Sequence, residues 1–212
     1  MVAREGLKII LPAFVLAFIL LIAGIYFEKN ILIICFWLAF ALFLFSLGFF
    51  RDPERVTPTG ENLIISPADG KVVAICPEND EFVGKATRVS IFMSIFNVHV
   101  NRIPLSGTVR SIDYSKGRFL PAMKPETSFE NERNTIGLES GKIKLKFTQI
   151  AGIMARRIVS YLKVNDQVKT GQRFGLIMFG SRVDLLVPET VNLKIKIGDK
   201  VIAGYSVIGE FE

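Results

Sequence analysis

The sequence predicts a mainly β, barrel-like sandwich preceded by an N-terminal two-helix transmembrane hairpin. Three observations lead there. Ile9 to Phe27 and Ile31 to Phe50 carry no charged residue, and each is close to the twenty or so residues that cross a hydrocarbon core. Beyond residue 50 the apolar residues fall into short runs broken by Gly, Pro, Asn and Asp, the punctuation of β structure. Near the C-terminus Asp166, Val168 and Gly171 recur as Asp199, Val201 and Gly204, so one turn-and-strand unit is used twice.

Only Glu28, Lys29 and Asn30 separate the two apolar stretches. So short a loop makes the helices antiparallel neighbours with both outer ends on one side. Arg4, Lys8, Arg51 and Arg55 flank those ends, against Lys29 in the loop. The positive-inside rule therefore places the ends, and the domain that follows, on the cytoplasmic face of the cell membrane. A cleaved signal peptide fits poorly, because the first run is too long, lacks a small-residue cleavage site and is followed at once by a second span. Core helices of a globular fold would both have to be apolar on every face. The chain thus divides into a hairpin over residues 1–50 and a domain over 51–212.

Mean hydropathy is +0.40, high for a soluble domain, and the hairpin accounts for the excess. Three of the 26 basic and two of the 20 acidic residues lie in the first 50, leaving 23 and 18 for the domain. That mild excess, without a Lys/Arg run, argues against nucleic-acid binding and suits attraction to an anionic bilayer. Cys35 lies in the second apolar run and Cys76 at an apparent Cys-Pro strand end; they form neither a disulfide framework nor a C-x-x-C metal site.

Strands are expected over Leu63 to Ser66, Lys71 to Cys76, Arg88 to Ser94, Gly107 to Tyr114, Lys142 to Ile150, Phe174 to Phe179, Arg182 to Val187 and Val191 to Ile197. Ala155 to Leu162 reads as a helix without strong caps, and the polar, poorly periodic stretch Phe119 to Asn134 as a loop or lid. In the repeated Asp-x-Val-x-x-Gly unit, Asp starts a turn, Val faces the core and Gly permits positive φ. Each copy resembles the turn-strand unit of lipoyl and biotinyl domains. No Met-Lys-Met carrier hairpin is present, so no attached lipoyl or biotinyl group is expected.

Three places carry candidate chemistry. His99 is the single histidine; alone in a strand it reads equally as a structural side chain, and its singleness disfavours a zinc peptidase, which needs several ligands. Asp69, in Ser66-Pro67-Ala68-Asp69-Gly70, is either a turn residue or a carboxylate that orients and charges an imidazole. Phe179-Gly180-Ser181-Arg182 lies between two apolar strands. It lacks the Gly-x-Ser-x-Gly elbow of hydrolases. It reads as a hairpin, or as a strained peptide bond attacked by its own serine.

A family resemblance joins these places. Phe49-Phe50-Arg51-Asp52-Pro53-Glu54-Arg55, Ser66 to Gly70, Phe92-Met93-Ser94 through His99 to Pro104, Ala155-Arg156-Arg157-Ile158, and Gly171-Gln172-Arg173-Phe174-Gly175 through Ser181-Arg182 occur in that order. Together with the anchor they resemble the short form of phosphatidylserine decarboxylase. The resemblance implies a proenzyme that cuts itself between Gly180 and Ser181 into a large and a small chain. Ser181 would become an N-terminal pyruvoyl group, derived from the chain itself, that decarboxylates phosphatidylserine to phosphatidylethanolamine through a Schiff base. By position, Asp69 and His99 take the family's catalytic carboxylate and histidine; where longer relatives have a second histidine, this chain has Arg102.

The implied partners are the lipid substrate, the bilayer and the two chains of the cleaved enzyme, a homodimer being compatible with all three. A planar guanidinium binds phosphate oxygens in pairs, so Arg182, Arg173, Arg156 and Arg157 are the candidates to grip the head group. The competing function is a non-catalytic membrane-anchored adaptor with a lipoyl-like sandwich.

Overall fold

The computed structural model describes residues 1–118, 130–141, 143–152, 157–178 and 181–212. It forms two compact units, Met1–Glu54 and Arg55–Glu212. In the first, α1 (Arg4–Tyr26) and α2 (Asn30–Phe49) are antiparallel partners. The Ala3 N–H donates to Phe50 O at 2.9 Å and the Asp52 N–H to Met1 O at 2.8 Å, tying the outer ends side by side. Leu11, Phe18, Ile25, Trp37 and Leu38 are each more than half exposed, a surface suited to hydrocarbon rather than water. Both helices are long and apolar enough to cross a membrane.

The second unit is mainly β. Its strands are β1 (Leu63–Ile65), β2 (Gly70–Asp80), β3 (Gly84–Met93), β4 (Val100–Arg102), β5 (Gly107–Ser115), β6 (Arg133–Ser140), β7 (Ile143–Ala151), β8 (Ile158–Ser160), β9 (Gln167–Val168), β10 (Arg173–Ile177), β11 (Ser181–Pro188), β12 (Asn192–Leu193), β13 (Lys200–Val201) and β14 (Val207–Glu210). A curled eight-stranded sheet has the order β13-β2-β3-β11-β7-β6-β5-β9, and two three-stranded sheets have the orders β1-β14-β12 and β4-β10-β8. The curl closes over a core that includes Val89, Ile91, Leu138, Phe147, Phe174 and Leu185; the Phe147 and Phe174 rings meet edge-on at 4.8 Å.

These orders are those of one seven-strand motif present twice. Exchanging β1, β2, β3, β11, β12, β13 and β14 for β4, β5, β6, β7, β8, β9 and β10 maps the eight-stranded sheet onto itself and one small sheet onto the other. The second copy is continuous; it interrupts the first between β3 and β11. The correspondence reaches single hydrogen bonds. The Ile65 N–H donates to Pro104 O, and 37 residues on the Arg102 N–H donates to Pro67 O, both at 3.0 Å. Val72 and Val109 each precede a register shift, and their N–H groups donate to Asp199 O and Asp166 O. The repeated Asp-x-Val-x-x-Gly unit supplies the outer strands β9 and β13, with Gly171 at φ +81° and Gly204 at φ +72°.

Several expectations are corrected. The helix expected over Ala155 to Leu162 is absent from its described part: Ile158–Ser160 is β8, paired with β10. β-Branched Ile158 and Val159 suit an open strand edge, and no cap favours the alternative; residues 155–156 lie outside the described ones. Of the loop expected over Phe119 to Asn134, residues 119–129 lie outside the described ones, and Arg133 and Asn134 open β6. The strand expected over Val191 to Ile197 shortens to β12. β2 does not end at Cys76: it runs through Pro77 to Asp80, tolerating proline because β13 covers its outer edge only at Gly70 and Lys71.

Gly70 and Gly107 are equivalents that let neighbouring backbones approach: a Cβ at either would collide with the carbonyl oxygen of Phe92 or Glu139. Gly107→Ala is expected to destabilise the protein by about 1–3 kcal/mol, read as a lower midpoint of thermal unfolding of the full chain in detergent. An unchanged midpoint would mean that the strands can separate without cost.

Candidate functional site

Ser181 is the first residue of β11, paired with Met93 of β3 on one edge and Ala151 of β7 on the other. Along β11, Ser181, Val183, Leu185 and Val187 are fully buried on the core side, as strand alternation requires. The Ser181 hydroxyl donates to Met93 Sδ at 3.3 Å. A thioether is a weak acceptor, so among the described residues the enclosed hydroxyl has no strong partner. Asn101 of β4 reaches the same sulfur at 3.8 Å and Pro67 O at 3.4 Å. Its Oδ1 accepts from Gln149 Nε2 at 2.9 Å, and Gln149 Oε1 accepts from Asn134 Nδ2 at 3.1 Å. Buried amides need such partners, and this chain of carboxamides fixes Asn101 beside the head of β11.

His99 immediately precedes β4 and is 2% exposed. A tight turn delivers it: the N–H and hydroxyl of Ser94 both donate to Asn97 Oδ1, and the Asn97 N–H returns to Ser94 O. His99 Nδ1 lies 2.9 Å from Asn97 O. A carbonyl oxygen only accepts, so Nδ1 carries the proton and a neutral ring offers a lone pair at Nε2. The His99 carbonyl accepts from Ile177 at the end of β10, four residues before Ser181. Gly180, the other half of the expected scissile bond, lies outside the described residues.

Asp69 ends the turn before β2 and is 8% exposed. Arg55 Nη1 and Nη2 donate to its two oxygens at 2.6 and 2.9 Å, and the Ala203 N–H adds a bond of 2.8 Å to Oδ1. The carboxylate expected to orient the imidazole is thus held by Arg55, and Asn97 O sits at His99 Nδ1. The turns bearing the three residues nevertheless converge. Pro67, two residues before Asp69, accepts from Asn101 and Arg102, and Asn101, two residues after His99, shares Met93 Sδ with Ser181. Sequence reasoning did not single out Arg55, Met93, Asn101 or Gln149 as site residues; the signal for the first three was their place in the stretches that carry the family resemblance, and Gln149 had none.

The candidate phosphate ligands scatter. Arg182 points to the outer face of the sheet, opposite to Ser181, where Nε and Nη2 meet Asp184 at 2.9 and 3.0 Å. Arg173 opens β10 across from Arg102 and is half-buried, and Arg157 is exposed beside β8. Arg156 lies outside the described residues. Arg102 is buried and donates to Gly171 O at 3.0 Å. A cavity of about 180 Å³ on the outer face is lined by residues that include Glu78, Asp80, Arg88, Lys146 and Asp184, and strand alternation puts it across the sheet from the Ser181 hydroxyl.

Asp80 serves both that face and the β2–β3 turn. Burial favours its neutral form, but hydrogen bonds from Lys146 Nζ and from the N–H groups of Val83 and Phe82, with the charge of Lys146, outweigh it, so the carboxyl lies below its ordinary range. A carboxyl depressed in the folded state stabilises above its unfolded pKa, and that contribution is lost as pH falls through the folded value. Asp80→Asn is therefore expected to be less stable than the parent at neutral pH, by about 1 kcal/mol for a partly exposed pair. The two unfolding curves should converge in acid; a gap independent of pH would show that the charge is irrelevant.

Comparison with known proteins bears on the whole chain. Residues 42–209 match the sequence pattern of the phosphatidylserine decarboxylase family. A phosphatidylserine decarboxylase proenzyme of Geobacter metallireducens is 41% identical over 210 residues, covering 98% of this chain and 95% of the relative. Proenzymes of the same name from Chlorobium limicola and Chlorobium chlorochromatii are 43% identical over 212 residues, the full length of both chains, and 51% identical over 174 residues, 82% of each chain.

Proposed function

The chain belongs to the phosphatidylserine decarboxylase family, and from that premise we propose that it is a proenzyme that cuts itself between Gly180 and Ser181. Its substrate is phosphatidylserine and its product phosphatidylethanolamine. The carrying observation is the likeness to decarboxylase proenzymes along the full chain, with Ser181 buried at the head of β11 and hydrogen-bonded to a thioether. This likeness sets aside the adaptor reading.

An alcohol attacks a peptide carbonyl once a base takes its proton. His99 Nε2 is the base, its Nδ1–H held by Asn97 O; the Asp69 carboxylate, held by Arg55 on the neighbouring turn, takes the family's carboxylate role through its charge and not through a bond to the imidazole. Ser181 Oγ bonds to the Gly180 carbonyl carbon as the Gly180–Ser181 C–N bond breaks, and the proton passes to the freed amine. Loss of the Ser181 Cα proton expels the Gly180 carboxylate and leaves dehydroalanine at position 181. Water then replaces the nitrogen, released as ammonia, and position 181 becomes a pyruvoyl group. That group supplies an electron sink for the carbanion left when carbon dioxide departs. The surroundings suit it, since Asn101 Nδ2, with long contacts of 3.4 and 3.8 Å, is an N–H donor available to a carbonyl oxygen.

Residues 1–180 form the large chain and 181–212 the small one, which contributes β11 to the middle of the sheet and remains paired there. For the phosphate, exposed Arg157 and half-buried Arg173 are better placed than Arg182, which Asp184 engages on the other face; Arg156 stays a candidate on sequence alone. Losing carboxylate charge is favoured where water is scarce. In this reading the hairpin anchors the enzyme in the cell membrane with the catalytic unit on the cytoplasmic side, which the greater number of Lys and Arg at the outer ends of the hairpin supports.

Intact mass under denaturing conditions tests cleavage directly. Two fragments are expected, the smaller beginning at position 181, lacking a free amine and reacting with carbonyl reagents. Ser181→Ala should remain one chain without decarboxylase activity. An active single chain would sink the proposal.

Asp69→Asn and His99→Ala are expected to accumulate as folded, uncleaved proenzyme, with cleavage slowed by about 10²–10⁴ in line with loss of acid–base assistance. If both folded variants mature at the parental rate, neither residue takes part in the proton transfer.

A further inference from the structure

Asp69 is a buried carboxylate, and a buried charge is tolerated only when paired and hydrogen-bonded. Arg55, the first residue of the second unit, provides more than a counter-charge. Its two parallel bonds to Asp69, at 2.6 and 2.9 Å, form the bidentate fork that only guanidinium makes. Arg55 Nη1 also donates to Ala203 O at 2.8 Å, while the Ala203 N–H donates to Asp69 Oδ1. Arg55, Asp69 and Ala203 close a ring that leaves the carboxylate one orientation. Both side chains are about nine-tenths buried.

The duplicated motif separates what the fold needs from what is added here. In the second copy Ser106 and Thr170 stand where Asp69 and Ala203 stand in the first. There the Thr170 N–H donates to Ser106 Oγ at 2.9 Å, in the place of the Ala203 N–H on Asp69, and the Ser106 N–H donates to Thr170 Oγ1 at 2.8 Å. The same turn is therefore built from two neutral side chains, exposed Ser106 and half-buried Thr170, with no guanidinium bonded to either side chain among the described residues; the Arg102 guanidinium reaches only the next carbonyl, Gly171 O. The charged ring belongs to the copy that carries the proposed catalytic carboxylate, and turn geometry alone does not require it.

We propose that Arg55 is a positioning residue for self-cleavage: its fork, closed through Ala203, fixes the Asp69 carboxylate in the orientation the reaction uses. This rests on the reading of Asp69 given above. Under that reading Arg55 and Asp69 belong to the large chain and Ala203 to the small one, so the ring joins the two cleavage products.

The test follows pulse-labelled full chain in membranes and times the appearance of the small fragment, with folding checked by thermal unfolding of the purified protein. Arg55→Gln is expected to mature at least tenfold more slowly than the parent. Arg55→Lys, which keeps the charge but lacks the fork, should fall between. Adding millimolar guanidinium to purified Arg55→Ala proenzyme should accelerate cleavage in a saturable way, whereas an equal concentration of sodium chloride should not; a residue that only braces the fold would give no such recovery in protein already folded. If Arg55→Gln fails to fold, Arg55→Lys decides: a slowed rate supports the inference and a parental rate overturns it. If Asp69→Asn is blocked while folded Arg55→Gln and Arg55→Lys mature like the parent, the positioning role is lost and the catalytic reading of Asp69 survives. Normal maturation of Asp69→Asn would remove both.

Discussion

The fold and the proposed chemistry depend on one constraint: β11 is fixed along both edges. Every residue from Ser181 to Pro188 pairs with β3, and Ser181 to Leu186 pair with β7 as well. A strand so held cannot shift register without turning its side chains to the other face, so Ser181 is locked onto the core side at the sheet end where Met93 and Ala151 terminate. The same register sends Arg182 to the outer face. Adjacent residues thus take different surroundings, one against a thioether and the other against Asp184. The hydroxyl at the head of such a strand meets a rigid environment, and the small chain proposed to begin there would keep its place through the ladders on both sides.

The site arises where the two copies of the motif differ. Their backbones agree at Pro67 and Pro104, at Gly70 and Gly107, and at the outer strands β13 and β9. Their side chains disagree at Asp69 and Ser106. The second copy, inserted between β3 and β11, brings Asn101 and Arg102 up to the turn carrying Asp69, and the reciprocal bonds between Ile65 and Pro104 and between Arg102 and Pro67 clamp the copies together. Duplication supplies a stable frame, and a few unshared polar residues are the ones proposed to carry the chemistry. The buried carboxamides of Asn101, Gln149 and Asn134 form one connected set, as a dry polar network must to be tolerated.

Much of this was legible in the residues themselves. The hairpin follows from two charge-free runs and a three-residue loop, and most of the longer strands from apolar runs between turn residues. The apolar spacing of β8 over so few residues suits a helix as well as an edge strand, and only its pairing with β10, on the side opposite β4, resolves that ambiguity. The duplication was visible only at Asp166 and Asp199; its other half, Pro67-Ala68-Asp69-Gly70 against Pro104-Leu105-Ser106-Gly107, shares too few identities to stand out without the shared hydrogen bonds.

The sequence by itself determined the mainly β class, the apolar helical hairpin and the three candidate residues Asp69, His99 and Ser181, because hydropathy, turn chemistry and motif order are local properties. Tertiary structure alone decided the rest. It gave Asp69 to Arg55, His99 Nδ1 to Asn97 O, Ser181 to Met93 and Arg182 to Asp184. Each pairing is set by which strand lies beside which and by the face to which alternation turns a side chain. Strand order joins residues as distant as Met93 and Ser181, and a linear pattern holds no record of that adjacency.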